Sequence, residues 1–305
     1  MTDTLRLFQS EEDYNAVKDS LEYPTVSYVE ETDNVYYIHN SQPNYFYVEA
    51  LADGMTVALN SAAPDDYMGM TAPSNVLEYS TDLKTWTTLP NDTPSKALNN
   101  GERLYLRGNA TSAVDVTNMM FGMGFFNISH PCNVGGNIMS LLFNDDFEDK
   151  TDLTGYDMAF AYLFLQQPIV NASELILPAT TLSMACYGMM FGLCTSLTTA
   201  PALPATTLSM ACYNIMFQAC VSLTTAPVLP ATTLVSQCYY YMFVGCSNLN
   251  NITMLATDIS AEDCLTNWVG NVPSTGTFVK NPALSEDTIG RGVNGIPEGW
   301  TVVNA

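Results

Sequence analysis

The residues with the most chemistry to offer are eight cysteines. Seven fall on a beat, at Cys186, Cys194, Cys212, Cys220, Cys238, Cys246 and Cys264, and the eighth is Cys132. A zinc site sets paired ligands two to four residues apart and completes the set with His or further Cys. Here the gaps alternate between 8 and 18 residues, and the two histidines, His39 and His130, lie outside the beat. The spacing therefore reads as a small apolar residue filling buried slots in a repeating structure, rather than as a metal cluster or a disulfide framework. Stacked thiols in neighbouring turns of such a structure could still come within bridging range.

Other constellations are weaker. Asn144-Asp145-Asp146-Phe147-Glu148-Asp149 is the densest acidic cluster. It offers oxygens for Ca²⁺ but lacks the spaced Asp-x-Asp-x-Asp-Gly pattern, and reads as a solvated loop. His130-Pro131-Cys132 sets a base beside a thiol with no third group to orient it, and reads as a local turn. Gly122, Gly124, Gly135 and Gly136 precede no Lys-Ser/Thr pair, so a phosphate loop is unsupported. Asn109-Ala110-Thr111 and Asn251-Ile252-Thr253 match a glycosylation acceptor and read as incidental. A glycan hydrolase needs two carboxylates facing a cleft. The reading is a chain with no catalytic residue, no metal ligand and no cofactor site.

Charge narrows the class further. The 305 residues hold 9 Lys+Arg against 31 Asp+Glu, a formal net charge of −22. Phosphate contacts need clustered cations, so a nucleic-acid surface is excluded, as is adhesion to anionic lipid. No window approaches the ~20 apolar residues of a membrane span. The opening Met1-Thr2-Asp3-Thr4-Leu5-Arg6-Leu7-Phe8 does not read as a secretion signal, which predicts a chain not exported by that route or one already processed. Between Glu174 and Asp258 lie 83 residues without a charge. Thr, Ser, Pro, Gly and Tyr recur through them, so the elements there must present hydroxyls outward while burying Leu, Met, Phe and Cys.

A repeat explains how. Pro178–Leu203 reads PATTLSMACYGMMFGLCTSLTTAPAL and Pro204–Leu229 reads PATTLSMACYNIMFQACVSLTTAPVL, identical at 20 of 26 positions. A third copy runs from Pro230 to Leu255, with degenerate copies on either side. A period of 26 suits a leucine-rich-repeat-type solenoid, in which one coil cannot bury its own apolar face and stacking completes the burial. Four ladders are predicted: Leu182/Leu208/Leu234, Met190/Met216/Met242, Phe191/Phe217/Phe243 and Leu197/Leu223/Leu249. Thr198-Thr199 and Thr224-Thr225 suit short strands paired between coils. The prolines at 201, 204, 227 and 230 stop any helix running through the linkers.

The motif LPATTL…CY…MF..C.SLTTAP resembles the Bacteroides surface-antigen (BspA-like) class of leucine-rich repeats, over about residues 132–305. The lead-in Gly136-Asn137-Ile138-Met139-Ser140-Leu141-Leu142 and the closing Gly295-Ile296-Pro297-Glu298-Gly299-Trp300 share in it, the latter resembling the family's terminal cap. Such coils occur on secreted and surface polypeptides of gut Bacteroidales and on their phages, so the resemblance implies adhesion and display and carries over no catalytic residue. The array here is short for the family.

The N-terminal half is built differently. Ser10-Glu11-Glu12-Asp13 is a capping-box-like start for a brief helix through about Leu21, ended by Pro24. Thr25–Val29 and Val35–Ile38, around the turn residues 31–34, read as a β-hairpin. The block Glu22-Tyr23-Pro24-Thr25-Val26-Ser27-Tyr28 resembles the opening of virion proteins of crAss-like Bacteroides phages. Short apolar runs follow: Tyr45–Ala50, Thr56–Leu59, Val76–Tyr79, Thr85–Leu89, Arg103–Arg107 and Met119–Ile128. Turn clusters separate them, including Gly101-Glu102, and the pattern suggests a small β-sandwich with Trp86 and Leu89 facing its core.

The expected fold is therefore mainly β. An N-terminal helix-hairpin anchoring segment (1–42) precedes a β-sandwich (43–130), a leucine-rich-repeat solenoid (131–270) and a C-terminal cap (271–305). The expected function is non-enzymatic display on a phage particle, as a head fibre, capsid decoration or tail appendage. Segment 1–42 would bind a capsid or tail protein, and the solenoid would meet a host-surface glycan or protein. A homo-oligomer, dimer or trimer, is expected, with no nucleic acid and no membrane insertion. The alternative is a bacterial cell-surface adhesin with BspA-like repeats.

Overall fold

The computed structural model describes residues 4–8, 25–29, 34–38, 43–59, 77–108 and 125–305. The chain divides into two units, Met1–Asn44 and Tyr45–Ala305. In the first, β1 (Thr4–Phe8) pairs in parallel with β2 (Thr25–Val29), and β2 pairs antiparallel with β3 (Asn34–Ile38). β2 and β3 occupy the two runs expected to form a hairpin, whereas β1 falls where no strand was expected. The helix expected from Ser10 to Leu21 and most of the turn before β3 lie outside the described residues. So do most of the run from Met119 and the residues Asn109–Thr111.

The second unit opens with strands whose alternation sorts side chains between two faces. β4 (Phe46–Ala50), β5 (Val57–Leu59), β6 (Leu77–Ser80), β7 (Thr87–Leu89), β8 (Arg103–Gly108) and β9 (Phe126–Ile128) lie within or beside the apolar runs of the sequence. In β8, Leu104 and Leu106 are fully buried while Arg103, Tyr105 and Arg107 take the opposite face. β10 (Cys132–Asn137) and β11 (Ile169–Ile176) complete a six-stranded sheet ordered β11-β10-β4-β8-β6-β7. Only the β10–β11 pair is parallel. β5 and β9 form a separate two-stranded ladder. Leu89 is buried as expected; Trp86 is only partly covered and lies beneath Arg107 on the outer face.

The hydrogen bonding does not break between residues 130 and 131, where a sandwich was expected to give way to coils. β10 pairs with β4 on one side and β11 on the other. The cause is a shared core: Phe164, from the first coil, sits 5.8 Å from Phe46 and 5.9 Å from Phe126, ring centre to ring centre. A lone sheet of this size would leave one apolar face wet, and the coils cover it.

From Met158 to Asn271 the chain repeats turn segments of about ten residues (158–166, 184–193, 210–219, 236–245 and 262–271), joined by strands, single bridges and irregular linkers. Every second N–H from Ala185 to Leu193 donates to a carbonyl of the next copy, Met210 to Gln218, at 2.7–3.0 Å. The N–H between each pair donates three residues back, within its own copy. The same alternation joins Met158–Gln166 to Met184–Gly192, Ala211–Ala219 to Ser236–Val244, and Gln237–Gly245 to Glu262–Gly270. Alternating between an outward and an inward donor requires the backbone to change hand. Ala185, Met189 and Leu193 accordingly sit at φ 49°, 52° and 60°, and Ala211, Ile215 and Ala219 at 56°, 58° and 56°.

Inside the stack the apolar positions align. Phe164, Phe191, Phe217, Phe243 and Trp268 follow one another at centroid separations of 5.2, 5.6, 5.7 and 6.2 Å. Phe160, Tyr187, Tyr213 and Tyr239 form a second column at 5.6, 5.7 and 6.2 Å. Met190, Met216 and Met242, like Leu197, Leu223 and Leu249, are fully buried; of the other ladder only Leu208 is partly open. The Thr-Thr segments contribute single parallel bridges, Asn171 to Thr199 and Thr225 to Asn251.

β12 (Asn251–Met254), β13 (Thr277–Lys280) and β14 (Thr301–Asn304) end the unit as a parallel sheet. Trp268 and Trp300 are buried there and donate their indole N–H groups to Gly295 O at 2.9 Å and Pro273 O at 2.7 Å. The protein is thus mainly β. Among the described residues its only helices are α1 (Ser140–Phe143) and α2 (Glu286–Ile289), and none is long and apolar enough to cross a membrane.

Candidate functional site

Two surfaces of the second unit carry chemistry of different kinds. On the coils it is hydroxyl chemistry. Leu197 and Leu223 point into the core, which leaves the following Thr198, Thr199, Thr224 and Thr225 exposed. The PATTL segments repeat the pattern with Thr206, Thr207, Thr232 and Thr233. Thr181 and Thr207 are bridged between copies, so the hydroxyls recur at strand spacing, ~5 Å. Met210 and Val228 are exposed beside them, at 46% and 51%. Each hydroxyl can donate and accept, and no fixed charge intervenes.

The cysteines face the other way. All eight are buried and free. The thiols of Cys194, Cys220 and Cys246 lie 2.9, 3.1 and 3.0 Å from the carbonyl oxygens of Phe164, Phe191 and Phe217 in the preceding coil, and donate to them. Burial pushes the thiol of Cys186, of Cys194, of Cys238 and of Cys246 up to about 12, far from the thiolate form a nucleophile or metal ligand needs. Cys132 is buried, while the exposed His130 turns its Nδ1 to Ser129 Oγ at 2.8 Å, so the two are not brought together.

The acidic cluster is drawn into ion pairs. Asp145 meets Arg107 Nη1 at 2.7 Å and accepts the Tyr45 hydroxyl at 2.5 Å, while Asp146 pairs with Lys150 at 2.9 Å. Among the described residues no three His, Cys, Asp or Glu side chains gather as a metal-binding set. Gly135 serves packing: a Cβ there would lie 2.3 Å from the Tyr47 ring. Gly136 sits at φ 74°, in the left-handed region. Asn251 opens β12, and Gly122 and Gly124 lie outside the described residues.

The second surface, the outer face of the six-stranded sheet, escaped the reading of the sequence. Arg103 lies over the Tyr47 ring at 4.1 Å, pairs with Glu49 at 2.7 Å and reaches Glu174 at 3.6 Å. Tyr47 donates its hydroxyl to Glu174, and burial, with that bond, raises its pKa. Arg107 repeats the arrangement over Trp86 at 4.1 Å, paired with Glu78 and Asp145. The signal was present in Arg-Leu-Tyr-Leu-Arg, a strict alternation that puts two cations and an aromatic on one face of β8. No family model, curated protein or solved structure matches this chain.

Proposed function

We propose that the protein is a non-enzymatic display protein of a phage particle, a head fibre, capsid decoration or tail appendage, whose coils are exposed for adhesion to a host-surface glycan or protein. In this reading the turn-built stack is a leucine-rich-repeat-type solenoid and residues 271–305 are its cap. The unit at 1–42 seats the protein on a capsid or tail partner, and copies of the chain associate as a dimer or trimer.

The observation that carries the reading is the outside of the coils. Eighty-three consecutive residues without a charge bury thiols, rings and aliphatic ladders and leave threonine hydroxyls in rows. Such a surface makes weak, repeated contacts, and many copies on one particle multiply them into useful avidity. The resemblance of the repeat to BspA-like coils supports adhesion too, and equally favours the second reading, a bacterial cell-surface adhesin.

Fractionation separates the two. Quantitative mass spectrometry of purified phage particles and of washed outer membranes should find the chain in the particles at a fixed ratio to the capsid protein. Recovery from membranes and absence from particles would reverse the assignment in favour of the adhesin.

A further inference from the structure

The outer face of the six-stranded sheet holds a groove of about 330 Å³ lined by Thr81, Lys96, Gly101, Glu102, Arg103 and Tyr105. That volume is at the small end of ligand sites and admits one sugar ring. Its charge is distinctive on a molecule of net −22. Lys96 is exposed and, like Lys84 and Lys280 among the described residues, has no ion-pair partner, whereas Arg103, Arg107, Lys150 and Arg291 each have one. Arg103 enters the groove held from behind: its Nε is bonded to Glu49 and its plane is stacked on Tyr47, so the guanidinium is already ordered. Glu102, the one acid in the lining, is turned into the adjoining loop, where its carboxylate accepts the Asn99 N–H at 2.7 Å. Tyr105 adds an aromatic ring, itself braced edge-on by Tyr47 at 5.9 Å.

We propose that this groove binds a carboxylated pyranose, one uronic-acid residue of an acidic polysaccharide. The carboxylate is taken by the Lys96 ammonium together with the guanidinium N–H groups of Arg103 that Glu49 and Glu174 leave free, and the ring lies against Tyr105. The site is separate from the hydroxyl rows of the coils, and it stands whether the chain belongs to a particle or to a cell surface.

The test is titration of the full chain with methyl β-D-glucuronide and with methyl β-D-glucoside, followed by NMR shifts or calorimetry. Saturable binding of the glucuronide is expected, at least tenfold tighter than the glucoside and weakened by added salt. Lys96→Ala should weaken the glucuronide at least fivefold. Lys84→Ala removes the same charge from an exposed position outside the groove and should leave affinity within twofold. Both variants alter exposed side chains, so folding is preserved. Equal binding of the two glycosides, or equal losses in the two variants, would overturn the proposal, the latter by reducing the effect to net charge.

Discussion

The Tyr187 hydroxyl is an exception to the rule that buried polar groups find partners. Its ring is 1% exposed, stacked between Phe160 at 5.6 Å and Tyr213 at 5.7 Å, and its oxygen is buried with no hydrogen-bond partner. An unmet buried hydroxyl costs about 1–3 kcal/mol. The column itself supplies the remedy, since Phe160 fills the preceding rung with the same stacking geometry. Tyr187→Phe should therefore raise the unfolding free energy by about 1 kcal/mol, seen as a higher denaturant midpoint at unchanged slope. A loss of stability would mean that the hydroxyl is satisfied after all. Tyr45 and Tyr47 show the contrast: their hydroxyls meet Asp145 and Glu174. The repeated Cys-Tyr marked Tyr187, Tyr213 and Tyr239 as one equivalent position, but nothing in a one-dimensional period says whether the end of a ring reaches water.

At the scale of the element, the period was legible and the hand of the backbone was not. Repetition at 26 residues, with Leu, Met and Phe at fixed places, required equivalent positions to stack and share a core. It gave little hint that every fourth residue of the turn segments has positive φ, because up to Tyr241 those residues are Met, Tyr, Gln, Ala, Leu and Ile, and Asn, which announces such a conformation, appears only in the last copy, at Asn267 and Asn271. The stack enforces it, by offering a carbonyl in the next coil to every second N–H. Glycine does occur once in this set, at Gly245 (φ 77°), which aligns with Leu193 and Ala219. A Cβ there would have ordinary contacts, the nearest atom being Ala219 Cα at 3.6 Å. Gly245→Ala thus isolates the backbone term. It should cost about 1 kcal/mol, read by denaturant unfolding, and a gain in stability would show that the coils hold left-handed residues without strain. That one sheet runs on across 130/131 was illegible for a related reason. Alternation locates strands, but which strands share a core is decided by contacts such as Phe46 with Phe164, far apart in sequence.

For the whole molecule, the placement of ionisable groups fixes how stability varies with pH. Carboxylates dominate the charged residues, 31 against 9 cations, yet the coils that hold the longest ladders contain none between Glu174 and Asp258. What titrates inside them is thiol and phenol. Cys186, Cys194, Cys238 and Cys246 are raised by burial from 9.0 to about 12, and Tyr187, Tyr213 and Tyr239 are raised well above 10.0 for the same reason. A group whose folded pKa exceeds its unfolded value contributes stability that is complete below the unfolded pKa and is lost as pH rises towards the folded one. The window is therefore pH 9 to about 12, and several stacked groups lose their contribution in it together. On the acid side Asp82 is held down to about 2 by the Thr85 and Lys84 N–H groups, which gives the opposite sign: its contribution is present above pH 3.8 and fades below. That group is fully exposed, so its weight is small beside the thiols. Unfolding midpoints should accordingly be flat from about pH 6 to 8 and fall steeply above pH 9, the alkaline limb being the steeper. The same burial governs reactivity. At pH 8 a disulfide reagent should find none of the eight thiols in the folded protein and all eight in denaturant. Fast reaction of one thiol per coil in the folded state would mean that the stack opens between coils, and the alkaline limb would then be shallow.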